Sequence, residues 1–366
     1  MVKYHFQIFV LLFLCLSVIL KANEDTPDDK GVVYYSMSIH AGSMMPHYPL
    51  QASLNNDYIR GLDFSTYFLN SSKAELNHSA LGLGYFMSNL GNNRVYGYVH
   101  STYLSMLFPL LVNRFPVQLK LGLGPGYVTK KYDSEANTLN RAIGSHINAY
   151  GQISLTGGLP IAGEGWMLRM GMSFNHISNG LIFAPNQGIN TVTLHAGLDF
   201  GSNHRHSGAF TIGRDSERKE KNRFTLTLAS GVKEVDERAG KQILTSSLIF
   251  DYGYRFHPSF NAGVGINLFY NDTWAYLPYR MDYMELPTPF QSSIHLALEL
   301  DKNPIAIILQ PGFYIYRPTD VIPDFTGRLG MRYSFRNNIT LQFAIKHHWF
   351  ALADYFEWGI GYRFYR

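Results

Sequence analysis

The feature that most constrains this chain is a two-residue rhythm of apolar side chains. Trp166, Leu168, Met170, Met172 and Phe174 alternate with Met167, Arg169, Gly171, Ser173 and Asn175, so one face is wholly apolar and the other largely small or polar. Successive side chains of a strand point to opposite faces, and a period of two therefore marks a β-strand with two unlike sides. The rhythm returns at Ile294, Leu296, Leu298 and Leu300, at Ile339, Leu341, Phe343 and Ile345, and at Phe356, Trp358, Ile360, Tyr362 and Phe364.

A soluble sandwich alternates too, with its apolar face turned inward. Three observations favour a membrane instead. The segments run to about ten residues or more, as a tilted strand crossing a bilayer requires. Short turns such as DKNP (301–304) and RNN (336–338) alternate with longer connections at 271–289 and 317–325, which suits the two unlike ends of a membrane barrel. Phe364 lies close to the end of the last alternating segment, followed by Tyr365 and Arg366. Composition agrees: aromatic residues make up 15% of the chain, and the charged fraction of 16% falls below the ~25% of soluble domains.

The first residues read as a secretory signal peptide over 1–22, with cleavage near Ala22. Lys3 and His5 precede an apolar run from Phe6 to Leu20, shorter than the ~20 residues of a spanning helix, and small and acidic residues follow. The only cysteine, Cys15, lies in that run, so the exported chain relies on no disulfide. Nothing after it reaches helix-spanning length, and a closed barrel is the other structure that satisfies every backbone group in lipid. With 31 Lys and Arg against 27 Asp and Glu, the charge is nearly balanced, which argues against a nucleic-acid partner.

Eight segments precede residue 201, at about 32–41, 55–66, 79–88, 94–108, 117–128, 141–156, 165–178 and 189–201, and a similar number follows residue 221. The polar, basic connection 203–222 is the seam between them. The expectation is an all-β protein, a transmembrane antiparallel β-barrel of roughly 16 strands with halves at 32–201 and 221–366. The alternating turn lengths run on through the C-terminal half, which favours one ring; the alternative is an eight-stranded barrel followed by a second barrel domain.

One stretch interrupts the pattern with chemistry. In FNHISNGLIFAPNQGIN (174–190), His176 and Ser178 continue the apolar face of 166–174, and Asn190 opens the next segment on the face of Val192, Leu194, Ala196 and Leu198. In a membrane barrel all three point to lipid, where polar side chains cost free energy and suggest function. A hairpin through 179–188 brings them to one rim, with Ser178 as nucleophile, His176 as base and Asn190 orienting the imidazole. From position and spacing alone, an interfacial histidine beside a Ser-Asn-Gly turn accounts for them equally well. The backbone N–H groups of Asn179 and Gly180 are the natural oxyanion donors. Ser145 is a further supporting candidate, placed on the lipid face by the phase of Ile143, Ile147, Ala149 and Ile153, though a rim hydroxyl bonded to backbone is its more ordinary role. His195 and His146 fall on the lumen phase. No His, Cys or Asp cluster has metal spacing, so neither a metal nor a cofactor is expected.

HISNGLIFAPNQGIN, with its His-x-Ser-Asn opening, resembles the signature of the outer-membrane lipid A 3-O-deacylases, the PagL-like or acyloxyacyl hydrolase family. GLGPGYVTKKYD (122–133), NRAIGSHINA (140–149) and PNQGIN (185–190) resemble that family as well, and the similarity covers about 32–201. It implies an eight-stranded barrel, His176 as base, Ser178 as nucleophile, and removal of an ester-linked acyl chain from lipid A. The family's third member is a glutamate where this chain has Asn190. Outer-membrane phospholipase A is similar there: it has His-x-Ser-Asn-Gly followed by Asn at this spacing. Its calcium-binding arginine after the Gly is replaced here by Leu181, so no calcium site is implied.

These resemblances imply a serine hydrolase in the outer membrane of a Gram-negative bacterium, with its site on the lipid-facing rim near the outer leaflet. The expected partners are lipid A or phospholipid as substrate, the barrel-assembly machinery, and a second copy as a homodimer. The rival from another class is a porin or structural barrel without catalysis.

Overall fold

The computed structural model describes residues 32–69, 80–111, 115–161, 165–201, 221–235, 241–257, 260–273, 288–302, 304–318, 322–349 and 352–366. The signal-peptide expectation for 1–22 and most of the 203–222 connection lie outside them. Sixteen strands follow one another: β1 (Val32–Met44), β2 (Ile59–Leu69), β3 (Ala80–Asn89), β4 (Tyr98–Leu111), β5 (Val117–Val128), β6 (Ile147–Pro160), β7 (Trp166–Ser178), β8 (Ile189–Gly201), β9 (Asn222–Glu234), β10 (Gln242–His257), β11 (Phe260–Asn271), β12 (Phe290–Lys302), β13 (Ile305–Tyr316), β14 (Phe325–Ser334), β15 (Ile339–His348) and β16 (Leu352–Tyr365). A short helix, α1 (Pro49–Leu54), follows β1.

The strands close into two antiparallel barrels of eight. In the first, β1 pairs with β2 on one edge and with β8 on the other, Tyr35 lying opposite Phe200. In the second, β16 returns to β9, with Trp358 opposite Ser230. The single ring of sixteen is therefore corrected to the alternative of two barrels. Turn lengths could not separate the two, because both eight and sixteen are even and the alternation of short and long turns reads the same for either.

Each barrel is inside-out relative to a soluble core. Along β7, Met170 and Met172 are exposed on the outer face, while Arg169, Ser173 and Asn175 are buried inside. An eight-stranded ring has an interior just wide enough for side chains to fill. In the first barrel Asp63 accepts hydrogen bonds from Lys120 (3.0 Å), Tyr103 (2.7 Å) and Gln152 (3.1 Å), and Arg169 pairs with Asp199 at 2.6 Å. In the second, Glu299 gathers Arg223 (2.6 Å), Arg332 (3.1 Å) and Arg363 (2.8 Å), while Arg328 pairs with Glu357. Apolar outside and polar within is the arrangement that lipid as a solvent selects.

One end of the first barrel is capped by apolar side chains. Met44, Leu90, Val95, Tyr96, Ala142, Ile143, Ile177 and Ile189 form one buried cluster with Leu54 of α1 against it. Burial holds the Tyr96 phenol up at about 12. The segment expected to be strand from 141 contributes to this cap instead, and β6 begins only at Ile147. Asn140 fixes the change of course: its Oδ1 accepts from the Ile143 N–H at 3.1 Å, and its Nδ2 donates to the carbonyls of Val95 (3.1 Å) and Lys130 (3.0 Å).

Candidate active site

The cap end of β7 and β8 carries the residues that the sequence singles out. Register places His176 directly opposite Asn190 across the β7–β8 pair, and Gly151 and Ala149 of β6 opposite His176 and Ser178. Strand alternation puts His176 and Asn190 on the face of Met170, Met172 and Leu194, each partly buried. Their side chains meet: His176 Nδ1–H donates to Asn190 Oδ1 at 2.5 Å. Holding Nδ1 in this way leaves Nε2 as the basic nitrogen of the ring.

Ser178, two residues along on the same strand face, is only 1% exposed. Its Oγ accepts a hydrogen bond from Asn186 Nδ2 at 2.8 Å, and Asn186 Oδ1 accepts the backbone N–H of Asn179 at 3.0 Å. One amide thus spans the serine hydroxyl and the N–H proposed as oxyanion donor. Gly180 follows with φ +59, a left-handed turn that suits glycine.

Ser145 reaches the site by a route that strand phase does not describe. It lies before β6, and the neighbouring Ile143 is buried in the cap, not facing outward. Its Oγ donates to the Ile147 carbonyl at 2.8 Å and accepts from Asn179 Nδ2 at 3.0 Å, so the hydroxyl is bonded to backbone and also positions the residue after Ser178. His195 lines the lumen, bonded to Thr156 (3.1 Å) and Ser173 (3.0 Å), and His146 sits in the loop against the Val128 carbonyl at 2.8 Å. Among the described residues no group of His, Cys, Asp or Glu is arranged to hold a metal ion.

The loop into β8 is anchored from several sides. The N–H groups of Gln187 and Gly188 donate to the carbonyls of Arg141 (3.3 Å) and Ala142 (3.0 Å), and buried Gln51 of α1 donates to the Gly188 carbonyl at 2.8 Å. Gly188 has φ +71, and a Cβ there would stand 3.0 Å from His176 Cε1, so glycine both makes the turn and leaves room for the imidazole. Two contributors were given no role by the sequence, although Asn186 lies within the PNQGIN stretch. Asn186 sits in an irregular loop, and His47 lies just beyond β1, where its Nδ1 meets Asn190 Nδ2 at 3.2 Å and its Nε2 meets the Gln187 carbonyl at 2.8 Å.

Residues 57–199 match the lipid A 3-O-deacylase (PagL) family, and residues 222–366 match the acyloxyacyl hydrolase C-terminal domain. The chain belongs to the PagL lipid A 3-O-deacylase family. At family level it is an acyl-removing lipid A hydrolase, and the PagL match spans His176, Ser178 and Asn190. PagL membership and the barrel fold are together consistent with an outer-membrane location. No curated protein matches the chain. Solved structures with some likeness include the siderophore receptor PirA from Acinetobacter baumannii, at 10% identity over 88% of this chain and 69% of that one, with a TM-score of 0.24. The Pseudomonas putida toluene transporter TodX is similar at 10% identity over 92% and 89%, with a TM-score of 0.18. Likeness at that level carries no argument about the PagL-type site.

Proposed function

We propose that the first barrel is an outer-membrane serine esterase that removes an ester-linked acyl chain from lipid A, with Ser178 as nucleophile, His176 as general base and Asn190 as the residue that orients it. The observation that carries this reading is the 2.5 Å contact between His176 Nδ1 and Asn190 Oδ1 on an otherwise apolar outer face, with Ser178 two residues further on.

In this reading Ser178 Oγ attacks the ester carbonyl as His176 Nε2 takes its proton. The tetrahedral intermediate then collapses, and the imidazolium returns that proton to the departing sugar alkoxide. Water, activated by the same nitrogen, hydrolyses the acyl-serine to a free fatty acid and restores Ser178. The incoming carbonyl oxygen takes the Asn179 N–H from Asn186, so the donor lies beside the place where negative charge develops. Asn190 cannot supply the charge of a carboxylate. It holds ring angle and tautomer, and that amide is what favours a phospholipase A-type esterase as the second reading.

The test is mass spectrometry of lipid A, with phospholipid release measured in parallel, from cells carrying the wild type or Ser178→Ala. Loss of one acyl chain from lipid A with wild type only supports the proposal. Release from phospholipid alone favours the second reading, and equal activity of Ser178→Ala and wild type removes Ser178 as nucleophile. A porin reading gains nothing from the described interior, which is occupied by the Asp63, Lys120 and Arg169 networks.

A further inference from the structure

We propose that His47 is a positioning residue that sets the tautomer of His176 through the Asn190 amide, an inference that rests on the catalytic reading of His176. An amide at the third position has a weakness that a carboxylate lacks. Its two ends differ, and if it turns over it offers the imidazole an N–H where an acceptor is needed. Nδ1 of His176 would then carry the lone pair and Nε2 the proton, and the ring could not accept one from Ser178.

The bonds around His47 remove that ambiguity link by link. The chain starts at the Gln187 carbonyl, which can only accept, so His47 Nε2, 2.8 Å away, carries a hydrogen. In the neutral ring Nδ1 is then bare and accepts from Asn190 Nδ2 at 3.2 Å. That fixes the amide with Oδ1 toward His176, whose Nδ1 therefore carries its hydrogen across the 2.5 Å contact. Nε2 is left basic. The backbone that starts the chain is itself held, because the Gln187 and Gly188 N–H groups are bound to Arg141 and Ala142. His47 is in turn held by its own N–H, 3.4 Å from Gln51 Oε1.

The test compares His47→Ala and His47→Asn, each with Asn190 intact and with Asn190→Asp. Asn at 47 keeps an acceptor near the Nδ1 position, and a carboxylate at 190 has two like oxygens and needs no orienting. With Asn190 intact, His47→Ala should lower kcat by at least about tenfold, short of the ~10⁴-fold loss that a wholly wrong tautomer causes in a serine triad, with KM little changed. His47→Asn should restore most of it. With Asn190→Asp, His47→Ala should add no further loss.

Nitrogen NMR of the His176 ring in micelles supplies a readout independent of turnover. Wild type should show the Nδ1–H form alone, and His47→Ala a mixture of the two neutral forms. Unchanged tautomers in His47→Ala overturn the inference, as does an equal loss of rate in both backgrounds. If Asn190→Asp is inactive, the tautomer measurement decides by itself. Should Ser178→Ala retain full activity, the catalytic reading fails, while the NMR result still reports whether His47 orders the chain.

Discussion

Gly151 lies directly across the β6–β7 pair from His176, and a methyl group added at Gly151 would meet nothing within 4 Å among the described residues. Open space of this kind beside a basic nitrogen on an apolar face is where part of a lipid substrate can rest. Gly151→Leu should therefore raise KM for the lipid by about tenfold or more, the scale at which a filled apolar site rejects its ligand, and leave thermal stability unchanged. Kinetics on micellar substrate would show it, and an unaltered KM would mean that the substrate approaches elsewhere.

Asn190 offers a test by subtraction and by charge. Asn190→Ala should leave partial activity, reduced by up to about 10²-fold, since only orientation of the base is lost. Asn190→Asp or Asn190→Glu adds a negative charge that stabilises the imidazolium of the transition state, so at least one should exceed wild type. If both are inactive in protein that still folds and inserts, the site is built around the amide.

Asn186→Asp is nearly isosteric yet electrically opposite. The carboxylate can still accept the Asn179 N–H but cannot donate to Ser178 Oγ, and it sets a negative charge where the oxyanion would form. Deacylation should fall by about 10²-fold or more, comparable to the loss of an oxyanion donor. A rate equal to wild type would place the oxyanion away from this amide.

How much of this could be read beforehand depends on whether solvent or the chain imposed it. Lipid outside and polar groups inside impose a contrast on every spanning residue, and β7 and β8 accordingly run as Trp166–Ser178 and Ile189–Gly201 against expected 165–178 and 189–201. The outward phase of His176 and Asn190 came with that contrast. Closure did not, because the pairing of Tyr35 with Phe200 leaves no local trace in sequence. Ile143 shows the other limit: its phase reads as outward strand, yet it is fully buried in the cap. His47 and Asn186 lie in irregular segments, where no period tells which way a side chain points.

The outer face can be probed far from the site. Leu194 on β8 is 69% exposed, whereas the adjacent Thr193 is buried in the lumen beside His40. Leu194→Arg should cost about 2–4 kcal/mol of folding free energy in lipid vesicles if that face meets hydrocarbon. A negligible cost would put Leu194 outside the apolar layer.

Glu299 is the hub of the second barrel; without it Arg223 keeps Asp301 and Arg332 keeps Asp251, but Arg363 loses its carboxylate partner in a closed interior. Glu299→Ala should destabilise that barrel by about 3–5 kcal/mol, the cost of breaking a buried pair, read as a lower midpoint of urea unfolding. Unchanged resistance would mean that water or other side chains compensate the arginines.

The β1–β8 seam has a consequence in time as well as in space. His176, Ser178 and Asn190 lie on the β7–β8 hairpin, whose contacts are local in sequence, but His47 lies just beyond β1, at the other end of that barrel's chain. Met44 pairs with Thr191, and the Met45 N–H reaches the Asn190 carbonyl at 2.8 Å, only when that last join is made. Joining strands so distant in the chain is the slow, entropically costly step of folding. On the proposed reading, a barrel whose β1–β8 seam is still open holds Ser178 and His176 without the His47 contact that orients them, and full activity against lipid awaits completion of the wall. In refolding experiments, activity should return with the final closure phase and not with the first strands.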